Sequence, residues 1–200
     1  FADFYGFGRR RITGERPEDL EAQLIYQIAA VRGMAAAEDH AMTHVKTHGA
    51  LGNMAAEDAN LAKTCVRAVM AVDPQLRFVA LPYSETEKAA EKAGLPVVRE
   101  VFADRTYTDQ GQLTPRSEPG AVILDIQQSV DQVMEMVVNR FIPTVGGKKL
   151  AVEPDTLCVH GDTPNAIQMA VRLRKELTGA GLSIKSFAQS RLQRPGADET

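Results

Sequence analysis

The sequence predicts an α/β fold in which a mostly parallel sheet, wrapped by helices, closes or nearly closes into a barrel. Three observations carry that expectation. Apolar stretches of strand length alternate with stretches of helical periodicity along the whole chain, the pattern of repeated βα units. No GxGxxG or Walker motif is present, so the usual nucleotide-binding sheets have no support. Titratable residues concentrate just after candidate strands, where parallel sheets gather their chemistry. The candidate strands number four or five, fewer than a barrel needs. Residues 1–10 read as the middle of a loop, and further strands are expected upstream.

The elements follow in order. Pro17 is preset for a first helical turn, and Glu18 and Asp19 favour the positive end of a helix. Leu20, Leu24, Ile28, Val31 and Ala35 then recur at helical spacing, giving a long amphipathic helix, near whose end His40 and Met42 read as structural. Residues 42–46 form a short strand candidate, followed by a polar turn and a helix with the apolar stripe Leu61, Cys65, Val69 and Val72. Residues 77–81 are the next strand, residues 84–93 a short helix ended by Gly94, and residues 96–102 another strand. A long polar loop spans 103–120; such loops are uncommon in compact folds and often functional. Ile126, Val130, Val133 and Val137 mark a helix, Gly146 and Gly147 a turn, and residues 157–160 a buried strand. Thr163 is a good N-cap with Pro164 at the first helical position. The helix that follows shows Ile167, Ala170, Val171, Arg174 and Leu177 on one face and ends at Gly179 and Gly181. Residues 182–184 are a last strand candidate, and 189–200 a flexible tail with little to bury, so that 1–188 read as one domain.

Four clusters could carry chemistry. His160 and Asp162 stand at the carboxyl end of the 157–160 strand, beside a helix start whose free N–H groups favour anions. The plain alternative is that Asp162 caps the helix and His160 packs in the core. His44, Lys46 and His48 alternate along a strand end and would share a face. Lys46 suits a phosphate or oxyanion and His48 a proton transfer, against a solvated edge strand as the alternative. Glu100, Asp104, Arg105, Tyr107, Asp109 and Arg116 lie at the end of the 96–102 strand or in the loop after it. Asp104 could hold a metal or a water, and Arg105 with Arg116 could clamp a carboxylate through paired hydrogen bonds; a surface ion pair between Asp104 and Arg105 is the alternative. Gly6, Gly8, Arg9 and Arg10 form a glycine–arginine loop in which the backbone can approach closely and the arginines can bind anions.

Composition narrows the classes. With 200 residues, 44% of them hydrophobic, the chain can bury a sizeable core. Its net charge of −3, with 23 basic residues dispersed among 26 acidic ones, argues against nucleic acid as a main partner. No apolar run approaches the roughly 18 residues of a membrane span and no signal peptide is evident, so a cytoplasmic location is the expectation. Cys65 and Cys158 read as small buried hydrophobes, with no CxxC to suggest redox or zinc chemistry.

The segments GFGRR, HVKTHGALGNM, EVFADRTYTDQGQLTPRS and CVHGDTPNA, in that order, resemble the LamB/YcsF family, to which the A subunit of bacterial ATP-dependent 5-oxoprolinase belongs. The similarity covers nearly all of residues 3–187. It implies an irregular β/α barrel related to the glycoside hydrolase and polysaccharide deacetylase barrels. It also implies an activity that opens 5-oxo-L-proline to L-glutamate with ATP, and Mg with it, in company with subunits B and C.

Three departures qualify the likeness. The family's amino-terminal acid and histidine motifs precede the point where this sequence starts, and Thr47 and Gly52 stand where the family usually has Pro and Tyr. A five-membered lactam is a poor electrophile, so ATP would phosphorylate its oxygen. Such a site needs cations for phosphate, a base for water and a carboxylate clamp. Lys46, His48, Asp104 and Asp162 are the catalytic candidates; Gly8, Arg9, Arg105, Arg116 and His160 are those for substrate. Two rivals stand beside this reading: a metal-dependent amidohydrolase or deacetylase on the same barrel, with a divalent metal whose identity stays open, and an inactive fragment or a purely assembling component.

Overall fold

The computed structural model describes residues 3, 5, 6, 8–11, 13–186. The tail expected at 189–200 lies outside them. Helix α1 (Pro17–Ala37) opens with Pro in its first turn and Glu18 and Asp19 beside it. Next come β1 (His44–Val45), α2 (Gly49–Glu57), α3 (Ala59–Val72), β2 (Arg77–Ala80), α4 (Glu85–Lys92) and β3 (Val97–Phe102). The second half holds α5 (Ile126–Val137), a hairpin of β4 (Phe141–Pro143) and β5 (Lys149–Ala151), then β6 (Thr156–Cys158) and α6 (Ala166–Gly179). Strands β1, β2, β3 and β6 form one parallel sheet in that order, while β4 and β5 pair antiparallel apart from it. The fold is therefore α/β with a parallel sheet, as the alternation of elements predicts. The sheet is open among the described residues, with β1 and β6 as its edges.

Local chemistry explains most boundaries. The Asp58 carboxylate accepts the N–H groups of Asn60 and Leu61 and starts α3; Ser84 and Asp125 cap α4 and α5 through Glu87 and Gln128. Two apolar clusters lie along the sheet. One joins Leu20, Ile28, Leu51, Cys65, Val69, Phe78 and Val97; the other joins Val101, Tyr107, Val133, Met136, Ile142, Met169 and Leu173. Burial raises the Cys65 thiol to about 12, which keeps it an inert apolar group. No described helix is long and apolar enough to cross a membrane.

Several expectations fail for identifiable reasons. The polar turn expected after residue 46 is helix α2, which buries Ala50, Leu51, Ala55 and Ala56. Strand β1 stops at Val45, so no strand alternation aligns His44 with Lys46 and His48. Helix α6 starts at Ala166 with Asn165 as its N-cap position, not at Pro164 behind Thr163. It buries Met169, Leu173 and Leu177 and leaves Ile167 and Val171 largely exposed, because the neighbours it packs on accept the adjacent stripe. Residues 182–184 form no strand, and the 146–147 turn closes a hairpin for which the sequence carries no clear strand pattern.

Candidate functional site

The four parallel strands deliver their carboxyl ends to one cleft of about 270 Å³. Lys46 comes from just beyond β1, Glu100 and Phe102 from β3, Cys158 from the end of β6, and His160 and Asp162 from the segment after it. Strand alternation puts Glu100 and Phe102 on the same face, and Phe102 is the register partner of Cys158. Lys46 forms an ion pair with Glu100, its Nζ lies 5.2 Å from the centre of the Phe102 ring, and it approaches the Cys158 sulfur at 3.9 Å. The ammonium is thus held by a carboxylate and an aromatic face together. Burial, and then the neighbouring Glu100 charge, raise the Cys158 thiol to about 11, so it is no nucleophile near neutral pH.

Asp104 is 1% exposed. Its two oxygens lie 2.8 and 2.9 Å from His160 Nδ1, and the His160 backbone N–H donates to Oδ2 at 3.2 Å. Burial pushes this carboxyl up, but the hydrogen bond, charge and backbone N–H of His160 together outweigh it and hold it below the ordinary value. The His160 ring also stacks on Phe102, with centres 5.6 Å apart and planes 22° apart. Two of the three plain alternatives fail: Asp104 and Arg105 are buried and do not form a surface pair, and Asp162 does not cap α6 but lies 3.7 Å from Arg116. The third, a solvated edge strand, fits β1, which lies at an edge of the sheet among the described residues with His44 exposed.

Arg105 differs from the clamp expected of it. Its Nε donates to the Ala121 carbonyl at 3.2 Å and its Nη2 to the Thr114 carbonyl at 2.5 Å, so two of its three nitrogens brace the long loop. Burial, then the nearby Arg116 charge, lower its pKa. Arg116 borders the cleft unburied, and Arg9 lines it from the glycine–arginine loop. Gly8 serves that loop through its carbonyl, which accepts the Ala50 N–H at 2.9 Å at the start of α2. The approach requires Gly49, where φ is +63° and a Cβ would sit 2.6 Å from the Gly8 oxygen. His48 occupies the N-cap position of α2, exposed on the cleft wall, and His44 lies outside the cleft with Nδ1 2.8 Å from Thr43 Oγ1.

Sequence reasoning therefore gathers Arg9, Lys46, His48, Arg105, Arg116, His160 and Asp162 into one cleft, with Asp104 directly behind His160. Glu100 stands in one of the four candidate clusters but is given no role by the sequence; here it is the ion-pair partner of Lys46. The available signal was a carboxylate on the same strand face as Phe102, which a buried strand keeps only with a partner. Among the described residues, no group of three or more His, Cys, Asp or Glu side chains could hold a metal ion. The donors present do not fit a resident metal. The cationic walls do fit phosphate oxygens.

A parallel sheet that gathers charged and proton-moving groups at its carboxyl ends is the arrangement typical of α/β enzymes. The chain belongs to the LamB/YcsF family, whose model matches residues 1–192. It is 43% identical over 188 residues to the 5-oxoprolinase A subunit of Rhodopseudomonas palustris, covering 94% of this chain and 74% of that protein. It is 46% identical over 186 residues to the 5-oxoprolinase A subunit of Geobacillus kaustophilus, covering 93% and 72%. The crystal structure of a lactam utilization protein from Thermus thermophilus superimposes with a TM-score of 0.85 at 41% identity, covering 94% of this chain and 74% of that one.

Proposed function

We propose that this chain acts as the A subunit of an ATP-dependent 5-oxoprolinase, opening 5-oxo-L-proline to L-glutamate with subunits B and C, in the cytoplasm where ATP is available. The observation that carries the reading is the charge of the cleft. Among the described residues, Arg9, Lys46, Arg105 and Arg116 face it against Glu100 and Asp162, in a chain of net charge −3. A cleft of that sign suits a small anionic substrate and phosphate oxygens, and relatives named for this activity support the same reaction.

The chemistry is a ring opening at an unreactive amide. The lactam oxygen takes the terminal phosphoryl group of ATP, releasing ADP; Mg carried by ATP rather than by this chain would neutralise charge on the phosphates. One water then adds to the activated carbon and the ring C–N bond breaks, leaving an acyl phosphate; a second water releases phosphate and L-glutamate. In this chain Arg9 and Arg116 are assigned to the substrate carboxylate and phosphate, Lys46 to the developing negative charge, and Asp162 to holding Arg116. The Lys46–Glu100 pair keeps the ammonium in place before substrate arrives, which lowers the cost of organising it during the reaction.

The test is L-glutamate formation from 5-oxo-L-proline by this chain combined with subunits B and C. Glutamate should form only when ATP and both partners are present, and the chain alone should give none. Glutamate formation that proceeds equally well without ATP would refute the proposal.

A further inference from the structure

Resting on the reading of the cleft as the place where the amide opens, we infer that His160 moves the proton in that reaction and that buried Asp104 is its positioning residue. Two imidazoles border the cleft. His48 stands exposed at the start of α2, and among the described residues no hydrogen bond orients its side chain. His160 is fixed three times over: by both Asp104 oxygens at Nδ1, by its own backbone N–H on Asp104 Oδ2, and by the stack on Phe102.

A carboxylate at Nδ1 selects the tautomer. It takes a hydrogen bond from Nδ1–H and leaves the lone pair of the neutral ring on Nε2. Because His160 borders the cleft while its Nδ1 is turned to Asp104, Nε2 is the nitrogen left for a ligand. The proton balance then closes within one residue. As the oxygen of water bonds to the activated carbon, its proton passes to Nε2. When the ring C–N bond breaks, its electron pair stays on nitrogen, and that nitrogen takes the proton from Nε2–H. Asp104 touches no reacting atom in this scheme and acts only through the imidazole.

Two measurements test the inference, one of them independent of turnover. Imidazole NMR of the nitrogen-labelled chain should show His160 protonated at Nδ1, with that proton strongly downfield, and the signal should disappear in Asp104→Asn. A His160 protonated at Nε2 in the wild type would overturn the inference. With subunits B and C and ATP, His160→Gln should lower kcat by about 10²–10⁴-fold, the usual range for a lost acid–base group, with KM within about threefold. Asp104→Asn should lower kcat in the same direction, and His44→Gln, outside the cleft, should stay within about threefold of wild type. A His160→Gln variant that melts like wild type yet keeps its kcat, or loses only in KM, would also overturn the inference. If the wild-type complex opens no 5-oxoproline, the proposed function falls, while the NMR result still decides whether Asp104 holds His160 ready as a base.

Discussion

Asp104 shows how one residue can serve stability and chemistry through the same contacts. A buried carboxylate is costly unless its lone pairs are occupied, and here His160 supplies both a ring nitrogen and a backbone N–H. The folded-state pKa lies below the ordinary value of about 3.9. The sign follows from linkage: a carboxyl depressed on folding stabilises the fold above its unfolded pKa, and that contribution is lost as the pH falls through the folded value. Denaturant unfolding of wild type and Asp104→Asn should therefore differ most near pH 6 and converge as the pH is taken below about 4. A gap that widens toward acid would show that desolvation, not His160, dominates at this carboxyl.

Helix α2 carries the sharpest element-scale prediction. Replacing Gly by Ala inside a helix usually gains about 1 kcal/mol. At Gly52, however, a Cβ would lie 2.7 Å from the Thr47 carbonyl oxygen, so the clash decides the sign. Gly52→Ala should destabilise the chain by about 1–3 kcal/mol, read as a shift of the denaturant midpoint at constant slope; a stabilised variant would show that the residue 47 turn yields freely. The same helix marks where sequence reading stops. Helices α1, α3 and α5 and strands β2 and β3 are legible because long periodic stripes or β-branched runs dominate them. Helix α2, with two glycines and no capping side chain, has no such signal, and its burial against α3 and α4 forms it. The buried stripe of α6 differs from the one periodicity suggests because the helix is apolar on two adjacent faces, and only packing selects Met169, Leu173 and Leu177. Lys46, Asp104, Arg116, His160 and Asp162 are legible as polar groups after strands. The Lys46–Glu100 pair, and the commitment of Arg105 to loop carbonyls, depend on distances between segments far apart in sequence.

At the scale of the molecule, the open sheet and its flanking helices leave apolar side chains in water. Tyr26 and Met34 on α1 are 74% and 73% exposed, and Ile167 and Val171 on α6 are 78% and 66% exposed. Such surfaces favour association, as do the edges that β1 and β6 form among the described residues. Sedimentation velocity should show the weight-average mass of the 200-residue chain rising with concentration, and Ile167→Lys with Val171→Glu should reduce that rise. An unchanged monomer across the same range would count against it. A chain that is acidic overall concentrates cations at the carboxyl ends of its parallel strands, and the proposed function makes a small anionic amide their ligand. Calorimetric titration of 5-oxo-L-proline into the chain with subunits B and C tests this most directly. Arg116→Met and Lys46→Met should each weaken binding by about tenfold, the worth of roughly 1.4 kcal/mol, while Lys88→Met, an exposed residue of α4 that does not line the cleft, should leave it unchanged. Equal affinity for wild type and both cleft variants would contradict the assignment of this cleft as the binding site.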